Sequence, residues 1–147
     1  MAAAARVLAT TVLAAVTLAG CAARSLPVAV VTLGSARLPV EVASTEDARQ
    51  TGMQIHASPP AARGMLFVYP DAAPRAFEIK TLSYPLDVVF VSASGRVLAL
   101  RRLDPAGPTT ASVADPARWV VETPAGWVAA HGVRVGDRLR VRSSAAL

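Results

Sequence analysis

Residues 86–91 read LDVVFV, a run in which only Asp87 is polar. In a strand, adjacent side chains point to opposite faces, so Leu86 and Val88 to Val91 place apolar groups on both. Such a strand is stable only where both faces are covered, which demands a sheet with packing above and below it.

Other segments supply that sheet. Residues 28–33 and 39–42 are apolar runs, the second alternating Val40 and Val42 with Pro39 and Glu41. GMLFVYP, AFEI and RVLALRRL add β-rich stretches, set apart by residues 70–75, by 81–85 and by the turn SASG at 92–95. Residues 104–116, with three prolines and Gly107, read as a long irregular loop. STEDARQTGM has the form of a short helix, with Ser44 as N-cap, Asp47 at the capping-box position and Gly52 at the stop. In WVVETPAGWVAAHGV a strand over 119–122 gives way to a second helix, with Thr123 as N-cap, Pro124 at its first position and Gly132 as a left-handed stop. A turn at Gly136-Asp137 leads into a last strand. Seven or eight short strands with two short helices indicate one compact, mainly-β domain, a mostly antiparallel β-sandwich or small barrel.

The first twenty residues stand outside that fold. Arg6 precedes an uninterrupted small-to-apolar run over 7–20, shorter than the ~18 residues of a membrane-spanning helix and of signal-peptide length. Leu18, Ala19 and Gly20 before Cys21 resemble the processing site of bacterial lipoproteins, where the cysteine is acylated and the chain is cut before it. Two or three acyl chains make a stable anchor, since each buried methylene contributes about 0.8 kcal/mol. The expected organisation is a signal peptide over 1–20, an anchor linker with a possible edge strand over 21–38, the domain over 39–141 and a tail over 142–147. The expected location is the cell envelope; Ala22 after the cysteine resembles lipoproteins passed to the outer membrane in cells with two membranes.

Cys21 is the only cysteine, so once acylated it leaves the domain no thiol for a disulfide, metal or nucleophile. Two histidines 75 residues apart carry no zinc signature, neither lies in a hydrolase motif, and no cofactor is expected. The formal charge of +5 is spread over scattered arginines without aromatic interleaving, which is no nucleic-acid footprint.

The ordered motifs TGM, ARGMLFVYP, FEIK, YPLDVVFVSASGRV, VVETPAG and VGDRL resemble the domain of unknown function 192 (DUF192) family across roughly residues 39–141. Matching positions are Gly52, Gly64, Met65, Leu66, Phe67, Phe77, Lys80, Pro85, Leu86, Asp87, Gly95, Val97, Glu122, Gly126, Gly136 and Asp137. The family's run Phe-Trp-Met-Lys-Asn-Thr stands here as Phe77, Glu78, Ile79, Lys80, Thr81 and Leu82, so a site using its Trp and Asn would be altered. The resemblance implies a compact β fold like a jelly roll and no settled activity.

Lys80 is the only lysine. Period two puts Phe77 and Ile79 on one face and Glu78 and Lys80 on the other, which reads first as a solvated pair. The competing reading is a polar cluster in which Lys80 and Arg63 hold a small anionic or hydroxylated ligand while Asp87 and Glu122 accept hydrogen bonds. For each acid, backbone capping by Asp87 and an arginine partner for Glu122 are the structural alternatives. The expected function is a lipid-anchored, non-catalytic binding or accessory module. Two other classes are a small hydrolase or lyase using Asp87, Glu122 and Lys80, and an interaction domain docking another envelope protein through a sheet edge such as residues 28–33.

Overall fold

The computed structural model describes residues 25–60 and 62–143; the leader, Cys21 and residues 144–147 of the tail lie outside the described residues. Seven strands form one sheet: β1 (Val28–Leu33), β2 (Ala36–Ala43), β3 (Gly64–Glu78), β4 (Leu86–Ser92), β5 (Val97–Leu103), β6 (Thr110–Pro124) and β7 (Leu139–Ser143). Their order is β5-β4-β6-β3-β2-β1-β7. Only β2 and β3 run parallel; the other neighbours are antiparallel. The sheet curls until its outer strands meet at one end. There Arg96 bridges Arg138, and the Val97 and Leu139 amides donate to the Asp137 and Gly95 carbonyls, each at 2.8 Å. The result is a mainly-β half-barrel with two short helices, α1 (Glu46–Thr51) and α2 (Trp127–Ala130), and a 3-10 turn over Gly52–Ile55.

Residues 86–91 behave as their pattern requires: every one is buried. Val88 and Phe90 join Met65, Phe67 and Val120 on one side of the sheet, while Val89 and Val91 join Leu66 and Val121 on the other. Phe77 sits between Phe67 and Phe90, edge-on to both at centroid distances of 4.9 and 5.9 Å. Each such aromatic pair contributes about 0.5–1.5 kcal/mol beyond its buried area.

Several boundaries differ from the sequence expectation. GMLFVYP and AFEI are one strand, β3, which runs through residues 70–75. The expected loop over 104–116 is shorter, because β6 begins at Thr110 and passes through Pro116. The reason is that β3 and β6 pair with each other, and their register shifts between Val68 and Ala73 and again between Ala73 and Arg75. Pro70, Pro74 and Pro116 fall around these shifts, where a residue without an N–H costs no ladder bond. β1 is not an edge, since β2 and β7 flank it; the edges are β5 and β7.

The helix caps shift too. Thr45, not Ser44, caps α1 by accepting from the Ala48 amide at 3.2 Å, and the stop at Gly52, φ 53°, is as expected. Thr123 and Pro124 do not start a helix, because β6 pairing with β4 holds both as strand; α2 begins after Gly126.

Candidate functional site

The four candidate ligand residues, Lys80, Asp87, Glu122 and Arg63, do not share one site. Lys80 Nζ lies 3.7 Å from Glu78 Oε2, with the side chains 72% and 55% exposed, so this is the solvated pair that strand alternation suggests. Asp87 and Glu122 sit on neighbouring strands in the register Val88↔Glu122 and Asp87↔Thr123. One-residue offset at period two sends their side chains to opposite faces of the sheet.

Asp87 is buried and occupied on both oxygens. Oδ1 forms an ion pair with Arg102 Nη2 at 3.1 Å, and Oδ2 accepts from the Val128 amide at 3.2 Å. It does cap backbone, though in α2, 41 residues away, rather than in the turn after Pro85. The amide bond ties α2 to β4, and the ion pair links β4 to β5.

Glu122 has a different environment. It is 4% exposed, and the arginine partner expected for it is absent among the described residues, where its carboxyl forms no ion pair or hydrogen bond. Desolvation pushes its pKa from 4.5 to about 8, so at neutral pH the group is a neutral acid able both to donate and to accept a hydrogen bond. Its charge, once formed, would be felt by Tyr69 and Tyr84, whose hydroxyls are already raised by burial.

The surroundings of Glu122 follow from register. Glu41 of β2 pairs with Met65 of β3, and Met65 pairs with Glu122, so the three share one face and one row across the sheet. Neighbouring strands are ~4.8 Å apart, which sets the two acids' backbones about 10 Å apart. Glu41 accepts from His56 Nε2 at 2.7 Å and lies 4.0 Å from Arg63 Nη1. The Tyr84 hydroxyl donates to the Met53 carbonyl at 3.1 Å and lies 3.4 Å from that of His56, tying the 3-10 turn and the loop after it to the same end. Arg63 is followed by Gly64, whose lack of a side chain lets β3 pass close against the Glu122 carbonyl. A polar rim of Glu41, His56 and Arg63 thus stands in the same row as one buried neutral acid, with Met65 between them.

Met65, Phe67 and Tyr69 alternate along β3, so an open groove of about 350 Å³ beside α1, lined in part by Arg49, Tyr69 and Arg75, lies on this same face. The Arg75 guanidinium stacks 3.8 Å from the Tyr69 ring centroid, with Arg49 at 5.1 Å. Neither His56 nor these residues is marked in the sequence. Glu41 and His56 are 15 residues apart with no motif spacing, and only the parallel pairing of β2 with β3 aligns Glu41 with the Glu122 row. Among the described residues no group of three His, Cys, Asp or Glu is placed to hold a metal ion.

Residues 29–141 match the sequence profile of DUF192, described as an uncharacterised ACR. The chain belongs to the DUF192 family. The match begins at residue 29 rather than near 39, in keeping with β1 being an interior strand of the DUF192 sheet. Two crystal structures are similar. A Sinorhizobium meliloti protein, proposed to be a transcription regulator, is 27% identical with a TM-score of 0.73 over 80% of this chain and 96% of its own. A Novosphingobium aromaticivorans protein of unknown function is 27% identical with a TM-score of 0.67, covering 79% of this chain and 84% of its own. No curated protein matches this DUF192 chain.

Proposed function

We propose that this DUF192 protein is a lipid-anchored module of the cell envelope, tethered through Cys21, that binds a small polar ligand without catalysis at the Glu122 end of its sheet. In a cell with two membranes, Ala22 after the cysteine favours the outer membrane, facing the periplasm. The observation that carries the binding reading is Glu122, a desolvated carboxyl without a partner among the described residues beside the Glu41–His56–Arg63 rim. A hydroxylated or carboxylate-bearing ligand would meet there an acid that donates and accepts and a guanidinium that pairs with an anion. Lys80 and Asp87 have no part in this reading; the first is solvated and the second holds α2.

The tether is supported by the order Leu18, Ala19, Gly20, Cys21 after a signal-length apolar run. A palmitate analogue fed to cells should label the wild type and leave Cys21→Ala unlabelled; label retained in the variant would sink the anchor. For the ligand, a melting-temperature screen against sugars and small carboxylic acids should give shifts in the wild type that shrink in Arg63→Ala, whose exposed side chain the fold does not need. Equal shifts in both proteins, or none in the wild type, would remove this end of the sheet from the function.

A further inference from the structure

The outer face of β2, β1 and β7 carries a set of arginines that the ligand reading does not use. Thr32 of β1 pairs with Arg37 on one side and with Arg140 on the other. Two residues along, Val30 pairs with Pro39 and with Arg142. The alternate residues Ala29, Val31, Leu33, Leu38 and Leu139 are buried in the core, so Arg37, Arg140 and Arg142 all project from the opposite, solvent-facing side. They lie within about 10 Å across the strands and about 7 Å along them. All three are exposed, and among the described residues none forms an ion pair or a side-chain hydrogen bond.

The geometry points to an anionic lipid surface as the partner of this face. The inference rests on the tethered reading and deepens it. Pro27, just before β1, is fixed to β2 by the Val42 amide, which donates to its carbonyl at 2.8 Å. Five residues lie between Cys21 and Pro27, and the six chain steps reach about 20 Å when fully extended. The acyl chains therefore hold the bilayer close to the end of β1 where Arg142 sits, and rotation of the domain on this short leash brings the face within a Debye length, about 8 Å, of the headgroups. A charged residue on an edge strand alone would serve to block edge pairing. Arg37 is on β2, two strands in from that edge, and has no such use. Val28, 40% exposed, adds an apolar contact beside the arginines. Docking here would fix the orientation of the domain, with the sheet face against the membrane.

The test uses the processed chain from Cys21 onward, which holds every described element, coupled through that single thiol to a maleimide lipid in vesicles. Coupling replaces the cell's acyl transfer, so the result does not depend on whether Cys21 is acylated in vivo, which palmitate labelling decides separately. Tethering raises the effective concentration of the face at the membrane to the millimolar range. Backbone amide exchange in residues 28–33 and 139–143 should be slower on phosphatidylcholine mixed with phosphatidylglycerol than on phosphatidylcholine alone, and high salt should erase the difference. Each arginine neutralised in Arg37→Gln, Arg140→Gln and Arg142→Gln should lower the docked-to-free ratio about fivefold. Lys80→Gln with Arg101→Gln, exposed cations off this face, should leave it unchanged. The proposal is overturned if exchange is the same on both vesicles, if the arginine variants keep the protection while melting normally, or if duplex DNA slows exchange where anionic vesicles do not.

Discussion

Between pH 4.5 and about 8 the melting temperature of the wild type is expected to fall more steeply than that of Glu122→Gln. Folding raises the Glu122 pKa from 4.5 to about 8, so within that window the folded chain keeps a proton that the unfolded chain releases. The unfolded state then binds fewer protons, and stability declines as pH rises. The stabilising difference is complete below the unfolded value and is lost as pH climbs through the folded one. Its slope is about 1.4 kcal/mol per pH unit, and at about 4 °C per kcal/mol for a domain of this size it is readily measured. Glutamine keeps the shape and the neutral charge of the protonated acid, so the variant should match the wild type at acid pH and exceed it near pH 8. Groups that titrate in both proteins cancel in the comparison. Parallel melting curves would show that Glu122 ionises freely in the fold and would remove the neutral acid from the binding reading.

Gly64→Ala is expected to destabilise the protein by about 3 kcal/mol, the upper part of the usual range for overpacking. Its φ is ordinary, so the demand is for space. An added Cβ would stand 2.8 Å from Leu38 Cδ2 and closer still to the Glu122 carbonyl oxygen. The Glu122 carbonyl has no room to move, since β3 at this point is paired to β2 and to β6. Reduced chain entropy in the unfolded state favours alanine by only about 0.4–1 kcal/mol, and contact decides the sign. Gly107→Ala is the control. Its nearest contact is Asp104 Cβ at 3.5 Å, ordinary packing in a loop, and it should melt within a degree or two of the wild type. A Gly64→Ala protein as stable as the wild type would show that β3 and β6 are farther apart at this level.

Local chemistry was readable wherever it did not depend on a distant partner. Residues 86–91 announced burial on both faces, and both are buried. Alternation put Glu78 and Lys80 together and away from the core, as they stand. Gly52, Gly132 and Gly136 all take positive φ at the turns where they were expected. The prolines misled because their effect depends on whether a ladder bond is needed at that residue, which the β3–β6 register decides and composition does not.

The candidate site divides in the same way. Asp87 and Glu122 were identifiable as acids at the ends of apolar strands, yet their fates diverged. A one-residue offset between β4 and β6 sends Asp87 to Arg102 and α2 and leaves Glu122 buried without a cation, in one row with Met65 and Glu41. By itself the sequence determined that residues 86–91 form a strand buried on both sides and which side chains alternate along each strand, because a period of two is a property of the backbone. Only the tertiary structure decided which strands are neighbours and in what register, and with that which carboxyl finds a cation and which loses its water, because desolvation is the sum of contacts from residues far apart in the chain.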